Sequence, residues 1–89
     1  MNTIILNALK QNGLMIGSIN NPSEEMCLVA VSQNGLALKS IKNKTYYVCL
    51  EAVKNNGLSI EYVPKKMRTF DMCNNAVIQN GTALSFIIN

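Results

Sequence analysis

Thr45-Tyr46-Tyr47-Val48-Cys49-Leu50-Glu51-Ala52-Val53-Lys54-Asn55-Asn56-Gly57-Leu58-Ser59-Ile60-Glu61-Tyr62-Val63-Pro64 reads as one unit of a repeat. Its Asn56-Gly57 pair recurs as Asn12-Gly13, Asn34-Gly35 and Asn80-Gly81, at steps of 22, 22 and 24 residues. A fixed period of that size marks an array of stacked supersecondary units. Counting twelve residues back from each glycine puts Met1, Ser23, Thr45 and Thr69 in register. Four residues after these anchors come Ile5, Cys27, Cys49 and Cys73. Seven after them come Ala8, Ala30, Ala52 and Ala76, and eight after them Leu9, Val31, Val53 and Val77. Apolar recurrence at four, seven and eight describes one face of an α-helix. Three of the anchors carry a hydroxyl that can accept from free N–H groups of the first turn, where Glu24, Glu25 and Asp71 also suit the helix dipole. The spacing therefore predicts a capped helix of about ten residues in each unit.

Glycine at the twelfth position is expected to end this helix in the left-handed conformation that a residue without Cβ adopts cheaply. Beyond it come Ile16, Leu38, Ile60 and Leu84, then Ile19, Ile41, Val63 and Ile87 three residues later. That spacing predicts a second, shorter helix laid back across the first, and Pro64 should stop it at Val63. Asn20-Asn21-Pro22, Lys42-Asn43-Lys44 and Pro64-Lys65-Lys66-Met67-Arg68 are the linkers, the third being two residues longer. The fold class is thus all-α: a short α-solenoid of four helix-turn-helix repeats, units 1–22, 23–44, 45–68 and 69–89 of one domain. Asn-Gly between apolar runs is also a hairpin signal. Here the runs lack period-two alternation and the caps stand at helical distance, so the helical reading is preferred.

The run Cys49-Leu50-Glu51-Ala52-Val53-Lys54-Asn55-Asn56-Gly57-Leu58, with Val63-Pro64 and a charged linker behind it, resembles the domain-of-unknown-function 4116 repeat family. Cys27 to Ile41 follows the same pattern nearly as well. The outer units depart from it, with Ile5 in place of cysteine and Asn74-Asn75 where leucine and a variable residue would sit. The resemblance implies a helical array and no established activity, and it is similar to arrays met in giant viruses, amoeba-associated bacteria and protists.

Composition narrows the function classes. The 89 residues carry a net charge of +3 and are 48% hydrophobic, enough for one core. No apolar run reaches the roughly 18 residues of a membrane span, and no secretory leader is evident, so a cytoplasmic protein is expected. Histidine is absent, aspartate occurs once, and no phosphate-binding glycine loop appears. No catalytic residue, metal site or cofactor is therefore expected. Cys27, Cys49 and Cys73 recur at one core position, spaced too far apart for disulfides and without partners for zinc or for thiolate chemistry. They read as small core residues.

The Asn of each Asn-Gly pair reads first as a cap, and second as the lining of a polar groove. Two surfaces remain for partners. Lys42, Lys44, Lys65, Lys66 and Arg68 lie in successive linkers, with Tyr46, Tyr47 and Tyr62 near them, forming a candidate edge for an acidic protein or, less favoured, for nucleic acid. Ile4, Ile5 and Leu6 open the chain without the polar cap of most solenoids, which makes the first unit a candidate self-association end. Asn74 and Asn75 supply part of such a cap on the last unit. A non-enzymatic protein-interaction or assembly module is expected, its partner another protein or a second copy of itself.

Overall fold

A computed structural model of the chain describes residues 2–88. Four ten-residue α-helices are separated by 3-10 helices: α1 (Asn2–Gln11), η1 (Gly13–Ser18), α2 (Glu24–Gln33), η2 (Gly35–Ser40), α3 (Tyr46–Asn55) and η3 (Gly57–Tyr62). A further 3-10 turn, η4 (Lys65–Met67), lies in the long linker, followed by α4 (Phe70–Gln79), η5 (Gly81–Ala83) and the short α5 (Leu84–Ile87). No strand occurs among the described residues, so the hairpin alternative fails. Neighbouring α-helices pack side by side in one row, and the 3-10 helices η1, η2, η3 and η5 pack in a second row. Each of η1, η2 and η3 also contacts the α-helix that follows it. The body measures 42 × 21 × 17 Å, the rod expected of helices stacked side by side at about 10 Å.

Local chemistry accounts for the boundaries. The hydroxyls of Ser23, Thr45 and Thr69 accept from the N–H groups of Met26, Val48 and Met72 at 3.2, 3.3 and 3.2 Å. The fourth anchor, Met1, lies outside the described residues. At the other end each asparagine is a corner. Its backbone N–H closes the α-helix on Ala8, Ala30, Ala52 or Ala76, all at 2.9 Å. Its Oδ1 then accepts from the second residue of the 3-10 helix, Leu14, Leu36, Leu58 or Thr82. The first reading of the asparagines, as caps, is the observed one. Val63 is extended (φ −85°, ψ 129°), so η3 ends where expected. Ile19 and Ile41 end η1 and η2 in the same conformation with no proline behind them, so Pro64 is compatible with the stop rather than its cause.

The second helices are 3-10 rather than α, which suits a three-residue apolar spacing because residues i and i+3 eclipse in that helix. Ile16, Leu38 and Ile60 are thereby buried, as are Ile41 and Val63 one turn later. They meet Leu9, Val31 and Val53 from the α row, and the core is the seam between the rows.

The glycine expectation is corrected. No described glycine has a positive φ, and the left-handed residue is Asn21 (φ 50°) in the first linker, a residue type that tolerates it. Glycine is required for another reason, closeness. A Cβ on Gly13, Gly35 or Gly57 would overlap the backbone carbonyl oxygen of Ala30, Ala52 or Ala76 in the next unit. The backbone of each 3-10 helix thus lies directly on the next α-helix, where fully buried alanine keeps the surface low.

Ser59 is fully buried and its hydroxyl has no hydrogen-bond partner. Alanine fills the equivalent places at Ala37 and Ala83, both fully buried. An unpaired buried hydroxyl costs about 1–3 kcal/mol, so Ser59→Ala is expected to raise stability by about 1 kcal/mol, read as a higher urea midpoint at unchanged m-value.

Candidate functional site

Seven of the eight residues of the proposed edge sit in or beside the linkers and the first turn of α3; Tyr62 closes η3. The structure assigns several of them internal work. Lys44 reaches back to the Ile41 carbonyl at 2.6 Å, at the end of η2. Arg68, in the equivalent place one linker later, spans three carbonyls: Val63 from Nε at 3.0 Å, Phe86 from Nη1 at 2.9 Å and Glu61 from Nη2 at 3.4 Å. Both cations therefore cap the carbonyl ends of short helices, where the helix dipole favours positive charge. Tyr46 shares a hydrogen bond of 3.0 Å with the Thr69 hydroxyl, and Tyr62 packs against the core. Lys42, Lys65 and Lys66 are exposed, and Tyr47 is 68% exposed with its ring edge against Tyr46, centroids 5.8 Å apart. Sequence reading missed this capping role, although a basic residue immediately before an N-cap threonine, as in Lys44-Thr45 and Arg68-Thr69, is a usable signal.

Between the first two linkers lies a cleft of about 320 Å³, lined by Gly17, Asn20, Asn21, Ser40, Lys42 and Asn43 together with Cys27. The repeated asparagines do not line it, because their amides are committed to the corners. Among the described residues no cluster of three or more metal-ligating side chains occurs. All three cysteines are free. Burial pushes the Cys27 thiol up, with the Glu24 charge adding to it, and burial pushes Cys49 up against a smaller opposing effect of Lys44. A raised thiol is a poor nucleophile at neutral pH.

This shift has a measurable consequence. Below the ordinary thiol range the folded and unfolded chains bind the same protons at these sites. Above about pH 8.5 the unfolded thiols ionise first, so the unfolded state gains and stability falls as pH rises through the folded values. Urea midpoints are expected to decline from pH 8 to pH 10 more steeply in the wild type than in Cys27→Ala/Cys49→Ala. In the native protein a thiol reagent should modify Cys73, which is half-buried, ahead of the other two.

The joints between units supply what the edge does not. Gly13 donates its N–H to Gln33 Oε1 at 2.7 Å, and Gly35 donates to Asn55 Oδ1 at 2.6 Å, each across the boundary to the next helix. Asn55 returns a bond from Nδ2 to the Ser32 carbonyl at 3.0 Å. Along the first turns, Thr45 donates to Glu24 at 2.7 Å, and Tyr46 meets Thr69 in the same relative position. At the two ends of the stack these partners stop. Ile4 is 74% exposed and Met15 45%, whereas Ile5 and Leu6 are half-buried, with Ile5 packed on the core. At the far end Phe70 is 83% exposed, Leu84 46%, and nothing lies within 4 Å of where a Cβ on Gly81 would stand. Asn74 is exposed, and Asn75 donates to the Asp71 carbonyl of its own helix at 2.8 Å.

Residues 47–89 match the family described as "Domain of unknown function (DUF4116)". Those residues belong to the DUF4116 family. The match takes in nearly all of α3 and everything described after it, including the Arg68 clamp. Of the residues matched to the DUF4116 family, Cys49 lies in the core, Ala52 at a close approach, Asn56 at a corner and Gly57 at a joint. The family's description assigns no activity. No curated protein and no solved structure matches the chain. No helix among the described residues is long and apolar enough to cross a membrane.

Proposed function

We propose that this chain is a non-enzymatic interaction or assembly module that binds protein through the exposed outer faces of its first and last described units. The observation that carries this reading is the exposure of Ile4, Met15, Phe70 and Leu84 on surfaces whose interior equivalents are joints between units. Apolar end faces of this kind are what capping units normally cover in solenoids. The linker edge supports a second reading, an accessory nucleic-acid binder, through exposed Lys42, Lys65 and Lys66 beside Tyr47. With Lys44 and Arg68 engaged in capping, few cations are left to follow a phosphate backbone.

Sedimentation equilibrium of the reduced protein, with a parallel titration of a fluorescent oligonucleotide, separates the two. The assembly reading expects mass to rise with protein concentration and to change little between about 50 and 200 mM salt. Phosphate binding would instead weaken steeply over that range. A protein that stays monomeric and binds the oligonucleotide in this salt-sensitive way overturns the assembly reading.

A further inference from the structure

The two exposed ends are complementary to each other, and this deepens the assembly reading on which it rests. Each interior joint has the same parts. A glycine backbone sits on the alanine of the next α-helix, and at the first two joints its N–H donates to an amide side chain three residues beyond that alanine: Gly13 on Ala30 and Gln33, Gly35 on Ala52 and Asn55. Gly57 on Ala76 keeps the close approach, with the Gln79 Cβ 3.1 Å from where its own Cβ would stand. Gly81 is the same residue of the last unit and nothing covers it. In the first unit the matching receptor positions are Ala8 and Gln11. Ala8 is half-buried and Gln11 exposed, whereas Ala30, Ala52 and Ala76 are wholly buried.

Other positions agree. Ser59 lies against Gly35, its Oγ 2.9 Å from a Cβ placed there, and Ala37 and Ala83 share its burial, while Met15 in the same register is 45% exposed. Val48 and Met72 are buried in the register where Ile4 is 74% exposed. Glu24 and Tyr46 bond to the next N-cap hydroxyl, and Phe70 in that register is 83% exposed. Ile16, Leu38 and Ile60 are buried where Leu84 is 46% exposed.

We propose that a second copy of this chain occupies these faces, so that copies join head to tail and continue the internal stack. Gly81 of one copy rests on the Ala8 carbonyl of the next, the Gln11 amide oxygen accepts from the Gly81 N–H, and Phe70 and Leu84 cover Ile4 and Met15. The surfaces differ, so the contact is heterologous, and because it continues the stack along its own long axis it yields open rods rather than a symmetric dimer.

The test uses two full-length variants blocked at opposite ends. Gly81→Ala adds one methyl where nothing lies within 4 Å in the single chain but where a stacked copy would clash. Ile4→Glu/Met15→Glu puts charge on the other face at positions that are exposed, so folding is retained; circular dichroism and thermal melts of each variant confirm this independently. For the wild type under reducing conditions, sedimentation equilibrium is expected to show mass rising with concentration without a plateau at dimer. Each variant alone is expected to sediment with its self-association lost, because one free face cannot pair with its like. Mixed, the two should form a one-to-one complex through their remaining faces. Self-association that persists in both variants as in the wild type overturns the head-to-tail joint while leaving an assembly module that uses another surface. A wild type that remains monomeric at every concentration overturns the joint as well, and the module reading then stands or falls on a different protein partner. A mixture in which neither variant joins the other, although the wild type assembles, also overturns it.

Discussion

Gly57→Ala is expected to destabilise the chain by about 3 kcal/mol, lowering Tm by roughly 12–24 °C for a domain of this size. The added methyl meets the Ala76 carbonyl oxygen and comes to 3.1 Å from the carbonyl carbon. A flexible side chain could swing away, but a helix backbone cannot. Relief requires η3 to lift off α4, which opens the core seam beneath Ile60 and Val63. The matched substitution Gly81→Ala meets nothing within 4 Å and involves no positive φ. It is expected to be neutral or stabilising by up to about 1 kcal/mol, since alanine restricts the unfolded chain. Differential scanning calorimetry of the two variants checks the contrast. Equal losses would show that glycine matters at the corner itself and not for the contact with the next helix.

Arg68→Ala is expected to cost about 2 kcal/mol, as hydrogen bonds from a charged donor contribute more than neutral ones. Its guanidinium joins the carbonyl ends of two helices, Glu61 and Val63 at the close of η3 and Phe86 in α5. Truncation leaves those carbonyls without their donor and frees α5, a helix of only four residues, from the body. Arg68→Lys should recover less than half of the loss, because one ammonium cannot span acceptors arranged for a planar fork. Chemical denaturation gives the magnitude. Limited proteolysis should show cleavage beginning within residues 84–88. An Arg68→Ala protein as stable as wild type would return this arginine to the pool of side chains available for a partner.

The α-helices were legible because their signals are local. A hydroxyl anchor, an apolar face at four, seven and eight, and a closing asparagine are all written within twelve residues, and the observed caps fall on them. The 3-10 character of the second helices was half legible: a spacing of three belongs to that helix, but six residues give few turns from which to judge the period. Gly13, Gly35 and Gly57 could not be read correctly from sequence. Their constraint comes from carbonyls in another unit, seventeen to nineteen residues away, and a left-handed turn and a close approach both ask for the same missing Cβ. The capping by Lys44 and Arg68 was hidden for a similar reason. A linker cation shows its internal acceptors only once the fold brings carbonyls beside it. Of the candidate end residues, Ile4 stands exposed while Ile5 turns inward, and Met15 escaped notice because only the buried Ala37, Ser59 and Ala83 in its register mark it as a joint position.

The crossing bonds from Gly13 and Gly35 each span twenty residues. That separation is set by the period and would be the same however many units followed. Loop-closure entropy grows with the length of chain enclosed, and folding slows as native contacts become more distant along it. An array joined in this way adds stability with every unit while the longest loop that must close stays constant. Such a chain can be lengthened by duplication without a slower search for its native state.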